Sequence, residues 1–184
     1  MHPTITVRED GNGADFVKAV IGTLQNAKVY IGIPEAETSR DGEPITNAAL
    51  MFIHTNGSEV MGIPKRPVIE PAIEADRQRL EATLGQAADA ALDGDKLTYE
   101  RLMKVAGQQG SNDAKLWFTD SRNGWPRNKQ ATIRRKLRRL QGKKFKAAMK
   151  VLTAAGETGD VSEIDTPLID TDELRRSITW VVML

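Results

Sequence analysis

Strand-like sequence lies near the two ends of this chain and helix-like sequence fills the stretch between, so the fold must bring the ends together to build a sheet. Lys28-Val29-Tyr30-Ile31-Gly32-Ile33 is a nearly continuous apolar run closed by Pro34, which reads as a strand placed centrally in a sheet. Ile178-Thr179-Trp180-Val181-Val182 reads as a final strand. A shorter strand is expected over Thr4–Glu9, where Ile5 and Val7 alternate with polar neighbours. The order strand, helix, strand, several helices, short helix, strand predicts an α+β fold in which the C-terminal strand returns to the N-terminal sheet. At 184 residues the chain is expected to form a single domain.

Between the strands, apolar spacing sets out the helices. Phe16, Val17, Val20, Ile21 and Leu24 recur on one helical face before Asn26. A helix is expected from Thr46 to the Asn56-Gly57 stop, with Ala48, Ala49, Met51, Phe52 and Ile53 inward. Ile69, Ile73, Leu80, Leu84, Ala87 and Ala91 predict one long helix over about Val68–Leu92, ended by Asp93-Gly94-Asp95. Leu97 to about Gln108 predicts another, with Leu102, Val105 and Ala106 inward. Gly110-Ser111-Asn112 is expected to divide it from a piece carrying Leu116, Trp117 and Phe118. Asn123-Gly124-Trp125-Pro126 reads as a turn. A basic helical insertion at about 127–155 and a linker at about 156–165 follow. Asp170 and Glu173 have the spacing of a capping box for a short helix over 172–176.

Composition narrows the chemistry. With no cysteine there is no disulfide, thiol nucleophile or thiolate metal site. The two histidines are far apart in sequence, and Asp93-Gly94-Asp95 is too short for a calcium loop. Neither a metal nor a cofactor is therefore expected. Gly11-Asn12-Gly13 lacks the third glycine of a phosphate cradle. His54 has no nucleophile and acid set around it in sequence, and reads as a partly exposed histidine at a helix end. An enzyme is not expected, nor a small-molecule substrate. No run approaches the ~20 apolar residues of a membrane span. Met1-His2-Pro3-Thr4-Ile5 does not open a secretory signal, so a soluble intracellular product is expected.

The net charge of +1 hides a strong asymmetry. Arg127–Lys150 holds eleven Lys or Arg and no acid, which leaves 26 − 11 = 15 basic against 25 acidic residues elsewhere. Ile133, Leu137, Leu140, Phe145, Ala148, Met149 and Leu152 interleave with the charges at helical spacing, as in a helix with one buried and one basic face. Arg134, Arg135, Lys136, Arg138, Arg139, Lys143, Lys144 and Lys146 then form a basic face for an acidic protein surface or for DNA. Gly57–Pro67 mixes two Gly and two Pro with Val60, Met61 and Ile63, more consistent with docking than with a mere connector. Pro64 and Pro67 bracket Lys65-Arg66 and hold the chain extended. Val60, Met61, Ile63, Lys65 and Arg66 are the candidate partner interface.

Five stretches together resemble the tail-completion or virion-morphogenesis proteins of long-tailed and Mu-like bacteriophages. They are Val29-Tyr30-Ile31-Gly32-Ile33-Pro34, Ile53-His54-Thr55-Asn56-Gly57, Ile63-Pro64-Lys65-Arg66-Pro67, Thr132-Ile133-Arg134-Arg135-Lys136, and Pro167-Leu168-Ile169-Asp170-Thr171 through Leu174-Arg175-Arg176-Ser177-Ile178. The resemblance implies a small antiparallel sheet packed by a long helix. It also implies a structural virion protein at the head–tail junction (the neck), made in the host bacterial cytoplasm. Its partners would be the connector, the tail terminator and its own copies in a ring of six or twelve, with packaged DNA a further contact. The family's Asp-Thr-Gly reads Asp170-Thr171-Asp172 here, so no glycine is expected to be required at that turn. The main alternative is a sequence-independent DNA-binding protein using residues 127–150.

Overall fold

The computed structural model describes residues 13–34, 45–139, 166–168 and 172–184. Seven helices and two strands are seen among them: α1 (Gly13–Asn26), β1 (Lys28–Gly32), α2 (Asn47–Asn56), α3 (Ile69–Ala75), α4 (Arg77–Leu92), α5 (Lys96–Trp117), α6 (Gln130–Arg139), α7 (Glu173–Arg176) and β2 (Thr179–Met183). The fold is α+β. The N-terminal strand β1 pairs antiparallel with the C-terminal β2, Val29 opposite Val182 and Ile31 opposite Trp180. The expected strand over Thr4–Glu9, the 156–165 linker and most of the basic insertion lie outside the described residues. Among those described, β2 is the one partner of β1, so the apolar run is not shown as a central strand.

Alternation within the strands divides the sheet into two faces. Val29, Ile31 and Val182 join the core, while Tyr30, Val181 and Met183 stay exposed. The inner face rests on α5, and the helix is smooth where it does so. A methyl group on Gly107 would stand 2.6 Å from Cε3 of Trp180, and one on Gly110 would overlap Cδ1 of Ile31. The cross-strand pair Ile31–Trp180 thus sits directly over two glycines one helical turn apart. Gly110-Ser111-Asn112 therefore does not divide the helix, contrary to the sequence reading. Gly110 is there because the sheet needs its missing side chain, and the packing outweighs the ~1 kcal/mol that a helical glycine costs.

That smooth stripe also rotates the inward face. Tyr99, Met103, Ala106, Ala114 and Trp117 are buried, whereas Val105, expected inward, is exposed, as is Leu116. The predicted helix over Val68–Leu92 is in fact two helices. Asp76, at φ −114° and ψ 20°, ends α3 and begins α4. Leu84, expected inward, is exposed, while Leu80 and Ala87 are buried. α4 and α5 form a helical hairpin in which Gly94 takes φ +76° and the Asp95 carboxylate caps α5 by accepting from Thr98 N at 3.0 Å. Thr46 caps α2 in the same way through Ala49 N, as its position predicts. Met51 of α2 is buried but Phe52 is 69% exposed, a second correction to the expected face.

Two apolar clusters organise the interior. One joins Met51, Val68, Ala72, Ala114, Trp117, Phe118, Leu174 and Ile178, and so ties α2, α3, α5 and the C-terminal segment together. The other joins Ala87, Ala90, Tyr99 and Met103 at the helical hairpin, with Leu24 and Val29 packed against it. Alongside aliphatic side chains and alanine, the clusters hold three of the nine aromatic residues, Tyr99, Trp117 and Phe118.

Candidate functional site

The C-terminal end of α2 fixes the first wall of the site. Gly57, at φ +72°, turns the chain where a side chain would meet Cγ of Lys65 at 2.9 Å and the carbonyl of Ile63 at 3.0 Å. Ser58 and Ile63 then exchange two backbone hydrogen bonds of 2.9 and 2.8 Å, closing a tight turn over Glu59–Gly62. Lys129 Nζ donates to the carbonyl of Gly62 at 2.9 Å and braces the turn from outside. The apolar tip is left in solvent. Val60 is fully exposed and Met61 is 67% exposed.

Arg66 behaves differently from its neighbours. It is 6% exposed and its guanidinium donates to the carbonyls of Pro126 and Arg127 at 2.7 and 3.3 Å. The expected interface role of Arg66 is therefore corrected: the side chain is an internal brace joining the Pro64–Pro67 segment to the segment before α6. Trp125 completes this joint. Its indole N–H donates to the carbonyl of Pro67 at 3.1 Å and its ring meets Phe118 edge-on at 5.9 Å. Lys65 remains exposed and Ile63 is half-buried.

The opposite wall comes from α6 and the segment before β2. Ile133 is buried, which sends Arg135 outward and leaves Lys136 half-buried with its ammonium donating to the carbonyl of Thr166. Arg134, Arg138 and Arg139 lie on α6 with their side chains outside the described set, and Lys143, Lys144 and Lys146 lie beyond the described residues. Leu168 and Asp172 both adopt left-handed backbone, at φ +62° and +65°. For non-glycine residues each such position costs roughly 1–2 kcal/mol. Asp172 thus takes the left-handed conformation that glycine favours. Asp170, the expected capping residue, lies outside the described residues, and Asp172 directly precedes α7 with no side-chain cap hydrogen bond. Its carboxylate instead pairs with Arg175 and Arg176, and these hold it below the usual carboxylate range, the Arg175 hydrogen bond most of all.

Between the two walls lies an open cleft of about 950 Å³. Leu50, Ile63, Pro64, Leu168 and Leu174, all at least half-buried, supply its apolar lining, and Arg127, Lys129 and Arg135 are exposed at its edge. The lining holds five cationic side chains (Arg66, Arg127, Lys129, Arg135, Lys136) against three acidic ones (Glu59, Asp172, Glu173), a formal +2. His54 lines it too. Burial, and then the charge of Arg66, push its imidazole down from the ordinary 6.5 to about 4, so it is neutral at physiological pH. Its Nδ1 is buried without a hydrogen-bond partner.

Sequence reasoning found the exposed turn and part of the basic wall. It missed Lys129 as a brace, and missed Leu168, Asp172 and Leu174 as a wall. The wall left one trace, the Pro167–Ile178 stretch itself. No protein-family model matches this chain, and no curated protein or solved structure matches it either.

Proposed function

We propose that this chain is a structural, non-enzymatic protein of a phage neck, docking onto the connector or tail terminator and closing into a ring with its own copies. The observation that carries this reading is a convergence. Four of the five stretches that resemble tail-completion proteins, widely separated in sequence, all contribute to the lining of one cleft: His54, Ile63-Pro64 with Arg66, Thr132 with Arg135-Lys136, and Leu168 with Leu174. Their common location gives a single physical reason for their joint presence.

The mechanism is complementary docking. The turn over Glu59–Gly62 is already closed by its backbone bonds and by Lys129, so little conformational entropy is lost when Val60 and Met61 meet a partner. Ring closure multiplies weak contacts through effective concentration. Gold-labelled antibody against the chain, imaged on purified particles, tests the location. Label at the head–tail joint supports the neck reading, and label confined to the capsid shell, tail fibres or unassembled protein contradicts it.

A further inference from the structure

We infer that the cleft between the Ser58–Ile63 turn and α6 is a receptor for a short peptide segment of a partner protein, one that alternates acidic with aliphatic side chains. This goes beyond a general role in assembly, since it assigns a site and the chemistry of its occupant, and it stands whether or not the chain works in a neck.

Charge and apolarity argue together for that occupant. Leu50, Ile63, Pro64, Leu168 and Leu174 offer aliphatic surface below the rim, which a purely electrostatic partner would leave unused. Lys129 and Arg135 stand exposed on the rim, where they can meet carboxylates without first being desolvated. Of the three acids in the lining, Asp172 is already neutralised by Arg175 and Arg176. The electropositive character is felt inside the cleft as well, because the charge of Arg66 acts against protonation of His54.

Nucleic acid fits the same cleft less well. Single-stranded binding depends on aromatic side chains that stack on the bases. Among the described lining residues there is no Phe, Tyr or Trp. One wall is fixed by named contacts, the backbone bonds and Lys129 at the Glu59–Gly62 turn and the Arg66 brace behind it. A wall fixed in this way lowers the reorganisation cost of binding.

The test uses the full chain and fluorescent, end-blocked peptides of about eight residues, read by anisotropy at about 0.15 M salt. The Glu/Leu alternating peptide should bind at least about tenfold more tightly than Glu/Ser or Lys/Leu peptides of equal length. Arg135→Glu should weaken it by a similar factor, with the melting temperature checked alongside. In the unmodified protein, saturating Glu/Leu peptide should raise the His54 pKa measured by NMR from about 4, since a nearby carboxylate favours the protonated ring. That readout needs no variant to fold. Equal affinity for the Glu/Ser peptide, tighter binding of a ten-nucleotide single strand, an unmoved His54 titration, or no binding at all would each overturn the assignment. The antibody-label result bears only on location in the particle, so the two readings fail separately.

Discussion

His54 and Arg66 share one corner of the fold and carry opposite electrostatic roles. Arg66 is a buried cation that donates to two carbonyls, and its charge helps keep His54 neutral. The folded-state pKa of His54 is depressed, so the unfolded chain binds the proton more readily. Stability from this residue is therefore complete above about pH 6.5 and is lost as the pH falls toward 4. For a half-buried ring, solvent screening reduces the effect to about 2 kcal/mol. Urea melts of the wild type and His54→Phe across this window should differ by an amount that shrinks with acidification, and parallel curves would contradict the assignment. Arg66→Met should cost about 2 kcal/mol by leaving two carbonyls without their donor, whereas Lys65→Ala should stay within about 0.5 kcal/mol. The glycines of α5 and α4 make a sharper pair. Gly110→Ala should destabilise by roughly 1–3 kcal/mol through overlap with Ile31. Gly85→Ala, with open space around it, should stabilise by up to about 1 kcal/mol.

At the scale of elements, period and punctuation made much of the fold legible. The bounds of α1 and β1, the Thr46 cap, the stop at Asn56-Gly57 and the Asp93–Asp95 turn all rest on local rules, and local rules were sufficient there. The failures share a cause. The undivided α5 and the outward Val105 depend on how closely a sheet assembled from both chain ends approaches one helix. No window of local sequence contains that distance. The cleft was half legible for the same reason. Val60 and Met61 stand out as apolar residues in a turn, but the inward rotation of Arg66 depends on carbonyls 60 and 61 residues away. For the turn as an element, Val60→Asp with Met61→Asp should leave stability within about 0.5 kcal/mol of wild type. The same double change should reduce incorporation into particles at least about tenfold by quantitative mass spectrometry. Unchanged incorporation would remove the turn from the interface.

Across the whole molecule, charge and apolar surface are unevenly distributed. Eleven basic residues fall within Arg127–Lys150, the part of the chain that contributes α6 to the cleft, while the remainder carries an excess of acid. Such segregation of charge along the sequence suits docking to an oppositely charged surface. The central claim, that the chain joins heads to tails, is tested most directly by electron microscopy of lysates from a phage with this reading frame deleted. A chain with this role gives, when deleted, DNA-filled heads and separate tails, or tails with a faulty end, restored to whole particles when the gene is supplied in trans. Normal, infectious particles from the deletion would contradict it.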